Sequence, residues 1–253
     1  MFNVGGLTGS IDYYTIKIKD TIIQPDPNLV IAACYGYHGQ NPDLDPTSVY
    51  CSGLSRTPDI SFISVPTALG GDGSGYFQFV NQGKIKTSGI DFQLAYTLPT
   101  EFIGPDAALS FNLMGNYLID YKVEELPGVT IDYADTISYS GLGKSFPRWR
   151  GVLETTLAVS KAVSFDLRTR YIDGMKNRAA AQFPGEVFDK VDPVFYFDLG
   201  AEAKIDKLTL RIGANNLFNR KPELYSPNIQ SGTDPSLYDV IGRRLYVSAK
   251  VKY

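Results

Sequence analysis

From Ala107 to Tyr121 the chain alternates with a period of two. One side carries Ala107, Leu109, Phe111, Leu113, Gly115, Tyr117, Ile119 and Tyr121; the other carries Ala108, Ser110, Asn112, Met114, Asn116, Leu118 and Asp120. Such alternation predicts a β-strand with one apolar and one mainly polar face. The pattern returns in Gly151–Val159, Val163–Tyr171, Phe195–Ile205, Leu208–Asn215 and Leu245–Tyr253, and less regularly in Leu7–Ile18 and Tyr76–Leu98. That makes about eight strands.

The connections alternate too. Long ones fall at about 21–75, 122–146, 173–192 and 219–237, and short ones near 99–106, 160–162 and 206–207. In an antiparallel meander this order puts every long loop at one end. The expected fold is therefore all-β: part of an antiparallel transmembrane β-barrel with long extracellular loops and short periplasmic turns. A soluble β-sandwich also pairs an apolar with a polar face. Against it stand strands of about ten residues, as tilted spanning strands require, and loops longer than compact soluble domains favour. Tyrosines at the ends of the apolar stripes suit a girdle at the membrane interface.

Composition bounds the function. The 253 residues carry a net charge of -3, which gives no electrostatic reason to expect nucleic acid. No stretch approaches the roughly 20 apolar residues of a membrane helix. Cys34 and Cys51 are the only cysteines. They read as one disulfide across a turn-rich segment in an oxidising compartment; the alternative is two unpaired thiols in a cytosolic loop. The first residues, Met1 to Gly6, have no basic or apolar signal region, so for an exported protein they predict a mature form or a segment of a longer chain.

Several runs resemble TonB-dependent receptors. Asn81-Gln82-Gly83-Lys84 followed by Gly89-Ile90-Asp91 is similar to a barrel strand of that family, and Asn215-Asn216-Leu217-Phe218-Asn219 to the end of its penultimate strand. Gly242-Arg243-Arg244-Leu245-Tyr246-Val247, closing on Tyr253, resembles its last strand. Asp12-Tyr13-Tyr14-Thr15-Ile16 and Pro147-Arg148-Trp149-Arg150 fit as well. The resemblance implies an outer-membrane transporter for energy-coupled uptake of a scarce ligand: a siderophore, haem, cobalamin or oligosaccharide. It implies that residues 1–253 are the C-terminal part of a barrel that in full has about 22 strands around a plug domain. The implied partners are outer-membrane lipid, that plug, the TonB energy-coupling complex and the barrel-assembly machinery. Leu245, Val247, Val251 and Tyr253 would form the assembly signal. Rival expectations are an eight-stranded barrel complete in itself, structural or adhesive in role, and a secreted β-sandwich binding module.

Open sheet edges are not tolerated in lipid, so about eight strands must close on themselves or continue into others. The polar face holds Arg168, Arg170, Glu202, Arg211 and Arg244, with Asp166, Lys204 and Lys250. In a narrow lumen these would need a fully paired network; in a wide one they would face water and a plug. No catalytic set is expected, since His38 is the only histidine, and neither zinc nor any cofactor is. Gly70 to Gly75 lacks the Lys-[Ser/Thr] of a phosphate loop, and Asp43 and Asp45 read as a solvated loop rather than calcium ligands. Tyr35, Tyr37, Tyr50, Tyr133, Tyr139 and Tyr225 fall in the long loops and could stack on a planar ligand at the mouth; the alternative is that they pack the loops.

Overall fold

A computed structural model describes residues 1–25, 27–37, 39–51, 79–137, 145–181, 185–226 and 232–252. Its strands are β1 (Phe2–Val4), β2 (Leu7–Ile23), β3 (Val80–Pro99), β4 (Ala108–Leu126), β5 (Val129–Asp132), β6 (Thr136–Ile137), β7 (Trp149–Ala158), β8 (Val163–Ile172), β9 (Met175–Asn177), β10 (Lys190–Val191), β11 (Val194–Ile205), β12 (Leu208–Asn215) and β13 (Arg244–Val251); α1 is Pro27–Cys34. The main sheet runs β1-β2-β3-β4-β7-β8-β11-β12-β13, and β5 pairs with β4. Every long strand lies beside its neighbour in the chain, as a meander requires. The path ends at β1 and β13. The eight long strands are those read from the alternation, joined in turn by long and short connections. No helix among the described residues is long and apolar enough to cross a membrane.

The chain forms two compact units: Met1–Thr15, Ser88–Asp120 and Tyr133–Tyr253 make one, and Ile16–Thr87 with Tyr121–Asp132 the other. In the first, register carries each side chain to a common face. Leu109, Leu157, Phe165, Ala201, Ile212 and Val247 stand in one row across β4, β7, β8, β11, β12 and β13. This apolar face is open: Ile212 is 60% and Val247 77% exposed. A contiguous apolar face left uncovered is rare on a soluble domain and is what lipid covers in a barrel. At one end of the face aromatic rings meet, Tyr117 with Trp149 at 4.5 Å between centroids and Tyr171 with Phe195 at 4.8 Å. Amphipathic rings in that position form an interfacial girdle.

Glycines let large rings lie flat on the sheet. The ring of Phe92 covers Gly115 and that of Tyr246 covers Gly213. A Cβ at Gly213 would also stand 2.5 Å from the Leu199 carbonyl oxygen, which is backbone and cannot swing aside. Gly213→Ala is expected to cost about 1–3 kcal/mol by overpacking, read as a lower denaturant midpoint for refolding into detergent micelles. Should the midpoint stay where it is, this close approach is not what the site demands.

The long connections are more ordered than their turn-rich composition suggests. β10, β9 and β6 form a separate three-stranded sheet in that order. Beside it Ile137, Ile172, Met175, Val191, Val194, Tyr196, Tyr225 and Tyr238 make a buried core. In the second unit α1 opens on Pro27, where a missing N–H costs nothing. It closes with Tyr37 N–H on Ala32 O (2.8 Å), Gly36 N–H on Ala33 O (3.1 Å), and Gly36 at φ +74°. That is the left-handed glycine cap, a conformation L side chains avoid. Leu29, Val30 and Ala33 pack on Leu126 and Val129 at the β4–β5 turn.

Candidate functional site

The opposite face of the main sheet is polar, and it carries the charges expected there. Asn112, Glu154, Arg168 and Asp198 occupy one row. Arg168 meets Glu154 at 3.7 Å, and Arg211 donates to both oxygens of Asp166 at 3.0 Å. Glu202 pairs with Lys204 at 3.3 Å. Arg244 stands opposite Asn215 on the same face. These groups are partly exposed, so each pair contributes little to stability; together they make a hydrated, charge-balanced wall.

Arg170 ties that wall to the segment between β12 and β13. Its Nε lies 3.2 Å from Asp198 Oδ2, its Nη2 3.9 Å from Asp239 Oδ2, and its Cζ 4.8 Å from the centre of the Tyr196 ring. Asp198 Oδ1 accepts the Asn216 N–H at 2.7 Å. Asn216 brackets Arg220 from both sides, at 2.8 and 2.9 Å. Asn216 and Asn219 both adopt positive φ, which asparagine tolerates better than other non-glycine residues. Phe218, between them, packs edge-on against Phe197 at 5.4 Å. The Asn-Leu-Phe-Asn run thus turns the chain off the end of β12 while keeping one ring on the apolar face.

Asp234, 1% exposed, organises the same segment. Ser145 Oγ donates to Oδ2 at 2.5 Å, and the N–H and Oγ of Ser236 donate to Oδ1 at 2.9 and 2.5 Å. Ser236 and Leu237 are thereby held over a cleft of about 490 Å³ in the polar face. Its lining includes Asp91, Met114, Asn116, Arg150, Val152 and Arg170. Asn116 donates to Asp91 Oδ1 at 2.8 Å and to Tyr14 Oη at 3.2 Å. None of Asp91, Asn116, Arg150, Tyr196, Asp198, Asp234 and Asp239 stood out in the sequence as a site residue. The visible signal was Asp234-Pro235-Ser236, a turn-forming tripeptide.

The tyrosines of the long connections separate by burial. Tyr225, 1% exposed, sits in the loop core, and its phenol is pushed up to about 12, by burial first and then by the Asp234 carboxylate. Burial likewise raises Tyr238. Tyr133 is buried beneath Arg178, whose Cζ is 4.7 Å from its ring centre. Tyr50 packs on the α1 cluster and donates to Pro127 O at 2.9 Å. Tyr35 and Tyr37 are exposed. Tyr139, His38, Tyr253 and Gly70 to Gly75 lie outside the described residues. Leu245, Val247 and Val251 stand exposed on β13.

Cys34 and Cys51 form a disulfide across a 17-residue separation. Asn41 Nδ2 is shared between Cys34 O at 2.6 Å and Asp45 O at 3.0 Å. The Asp45 carboxyl is held below the usual range by the Thr47 hydroxyl and then the Thr47 N–H, which fits a turn-forming role. Replacing both cysteines by serine is expected to remove about 3 kcal/mol of cohesion from this unit. Hydrogen exchange at α1 should then accelerate roughly a hundredfold. Unchanged protection would show that packing alone holds it. No cluster of three or more potential metal ligands occurs among the described residues.

Comparison with known proteins places this arrangement. A family model described as TonB dependent receptor-like, beta-barrel matches residues 2–217. No curated protein sequence matches the chain. Among solved structures, the siderophore receptor PirA from Acinetobacter baumannii aligns at a TM-score of 0.57 with 15% identity, over 100% of this chain and 30% of that one. A variant of the ferric enterobactin receptor PfeA from Pseudomonas aeruginosa gives 0.55 with 16% identity, over 100% and 30%. The FrpB iron transporter from Neisseria meningitidis gives 0.52 with 14% identity, over 100% and 30%. The chain spans about 30% of the length of the solved structures it resembles.

Proposed function

The chain belongs to the TonB dependent receptor-like β-barrel family of the outer membrane, and from that premise we propose that it is the C-terminal wall of a barrel that takes up a scarce ligand by TonB-coupled transport. The observation that carries this reading is the two-faced sheet. One face is openly apolar for lipid; the other presents paired, half-exposed charges suited to water and a plug domain rather than to a closed dry core. The two ends of the strand path are where further strands would join. The assembly role of Leu245, Val247, Val251 and Tyr253 belongs to the same proposal, as does the plug-facing role of Arg168, Arg170, Glu202, Arg211 and Arg244. Among the described residues, Tyr35 and Tyr37 are the candidate tyrosines that stand exposed for ligand contact.

Among siderophores, haem, cobalamin and oligosaccharides, a ferric siderophore is the first ligand to test, because the barrels of like fold are siderophore receptors and an iron transporter. A strain lacking the gene should lose growth on one ferric siderophore as sole iron source, and loss of TonB should have the same effect. If uptake of all four ligand classes survives both deletions, the transport reading fails.

A further inference from the structure

We propose that a hollow in the apolar face seats one acyl chain of a phospholipid from the periplasmic leaflet. The inference rests on the receptor reading above, which puts this face in lipid. The hollow has a volume of about 420 Å³, and Leu7, Leu94, Tyr96, Phe111, Leu113 and Leu153 line it. Leu113 stands directly opposite Leu153, on the side of β4 and β7 that turns to lipid. All six lining residues are half-buried, whereas Ile212 and Val247 on the same face are 60% and 77% exposed. The wall is recessed here.

Glycines explain the recess. A Cβ at Gly9 would stand 2.7 Å from Leu94 Cδ2, and one at Gly6 would stand 3.7 Å from the Tyr96 ring. The space above these glycines draws both side chains towards the β1–β2 hairpin, which leaves a gap on the β4 side. One row nearer the girdle, the ring of Phe92 covers Gly115 and meets Trp149 edge-on at 6.3 Å. Rings thus close the end towards the long connections, and a chain enters from the side of the short turns. Apolar contact alone selects nothing in a bilayer, since lipid tails are as apolar as leucine. Shape does. A hollow that no atoms fill forfeits dispersion contacts along its whole lining. A flexible acyl chain follows such a recess, and about 420 Å³ falls among the volumes of pockets that hold small ligands. The seated chain exchanges more slowly than its neighbours and stays when detergent strips the rest.

The test is native mass spectrometry of the full-length protein, extracted from outer membranes in detergent and titrated with palmitoyl-oleoyl-phosphatidylethanolamine. One phospholipid should stay bound at collision energies that remove the detergent. Leu153→Trp puts an indole into the hollow and should lower the bound fraction at least tenfold. Ile212→Trp adds similar bulk at an exposed position of the same face and should leave the fraction unchanged. Should Leu153→Trp fail to assemble, Leu113→Phe decides in its place: lowered retention supports the seat and unchanged retention overturns it. No retained phospholipid in the wild type, or the same retention in both tryptophan variants, also overturns it. So does a retained mass that matches a free fatty acid or a lipopolysaccharide. Failure of the receptor reading would appear separately, as uptake that survives deletion of the gene while phospholipid retention persists.

Discussion

Ile212→Arg should destabilise the protein by about 2–4 kcal/mol in a bilayer, the cost of a charge near mid-depth on a lipid-facing strand. On a soluble sheet the same change at a 60% exposed position would fall within about 0.5 kcal/mol. Ile212 sits midway along β12, between Ala201 and Val247 in the apolar row. Asn112→Arg, on the polar face and opposite Glu154, is the control and should be nearly neutral. Denaturant titration of refolding into lipid vesicles measures both. Equal, small effects would remove the membrane assignment of the apolar face.

Tyr225→Ala should cost about 3–5 kcal/mol, because a fully buried ring is replaced by a cavity in a small core. That core holds together the connections after β8 and β12, so the loss should appear there as proteolysis within 173–193 and 216–243. The Asn177 amide, which donates to Tyr225 O at 3.0 Å, loses its fixed partner as the segment loosens. Tyr225→Phe keeps the ring and should cost only about 1 kcal/mol, the worth of one hydrogen bond. The strands have their own ladder and should keep their SDS-resistant, boiling-sensitive electrophoretic form in both variants. Collapse of the whole sheet with Tyr225→Ala would show that the loop layer is not separable from it.

The eight long strands were legible because alternation over ten or so residues outweighs any single exception. The disulfide was legible from two cysteines flanking a turn-rich segment. The loop layer was not. Strands as short as Thr136–Ile137 or Lys190–Val191 carry no periodicity, and only long-range pairing makes them strands. The extension of β4 to Leu126 was masked by Glu124 and Glu125, although Pro127-Gly128 is a turn signal that marks where the hairpin reverses. At the site, an exposed loop aspartate and a buried one look alike in sequence, so Asp234 gave no sign of its role. Tyr133 and Tyr225 were candidates for ligand contact by their place in long loops, and tertiary packing put them inside.

The pairing of every strand with its chain neighbour has a kinetic consequence. Closing a chain loop costs entropy that grows with its length, and contacts of short sequence separation form soonest. Lys161 and Ala162 lie in the turn between β7 and β8, and Asp206 and Lys207 join β11 to β12. These tight hairpins, with β3–β4, should form within the first stages of assembly. Docking of one hairpin on the next must wait for the buried core around Tyr196, Tyr225 and Tyr238 to form, so the slow step of folding lies at the end of the sheet that carries the long connections.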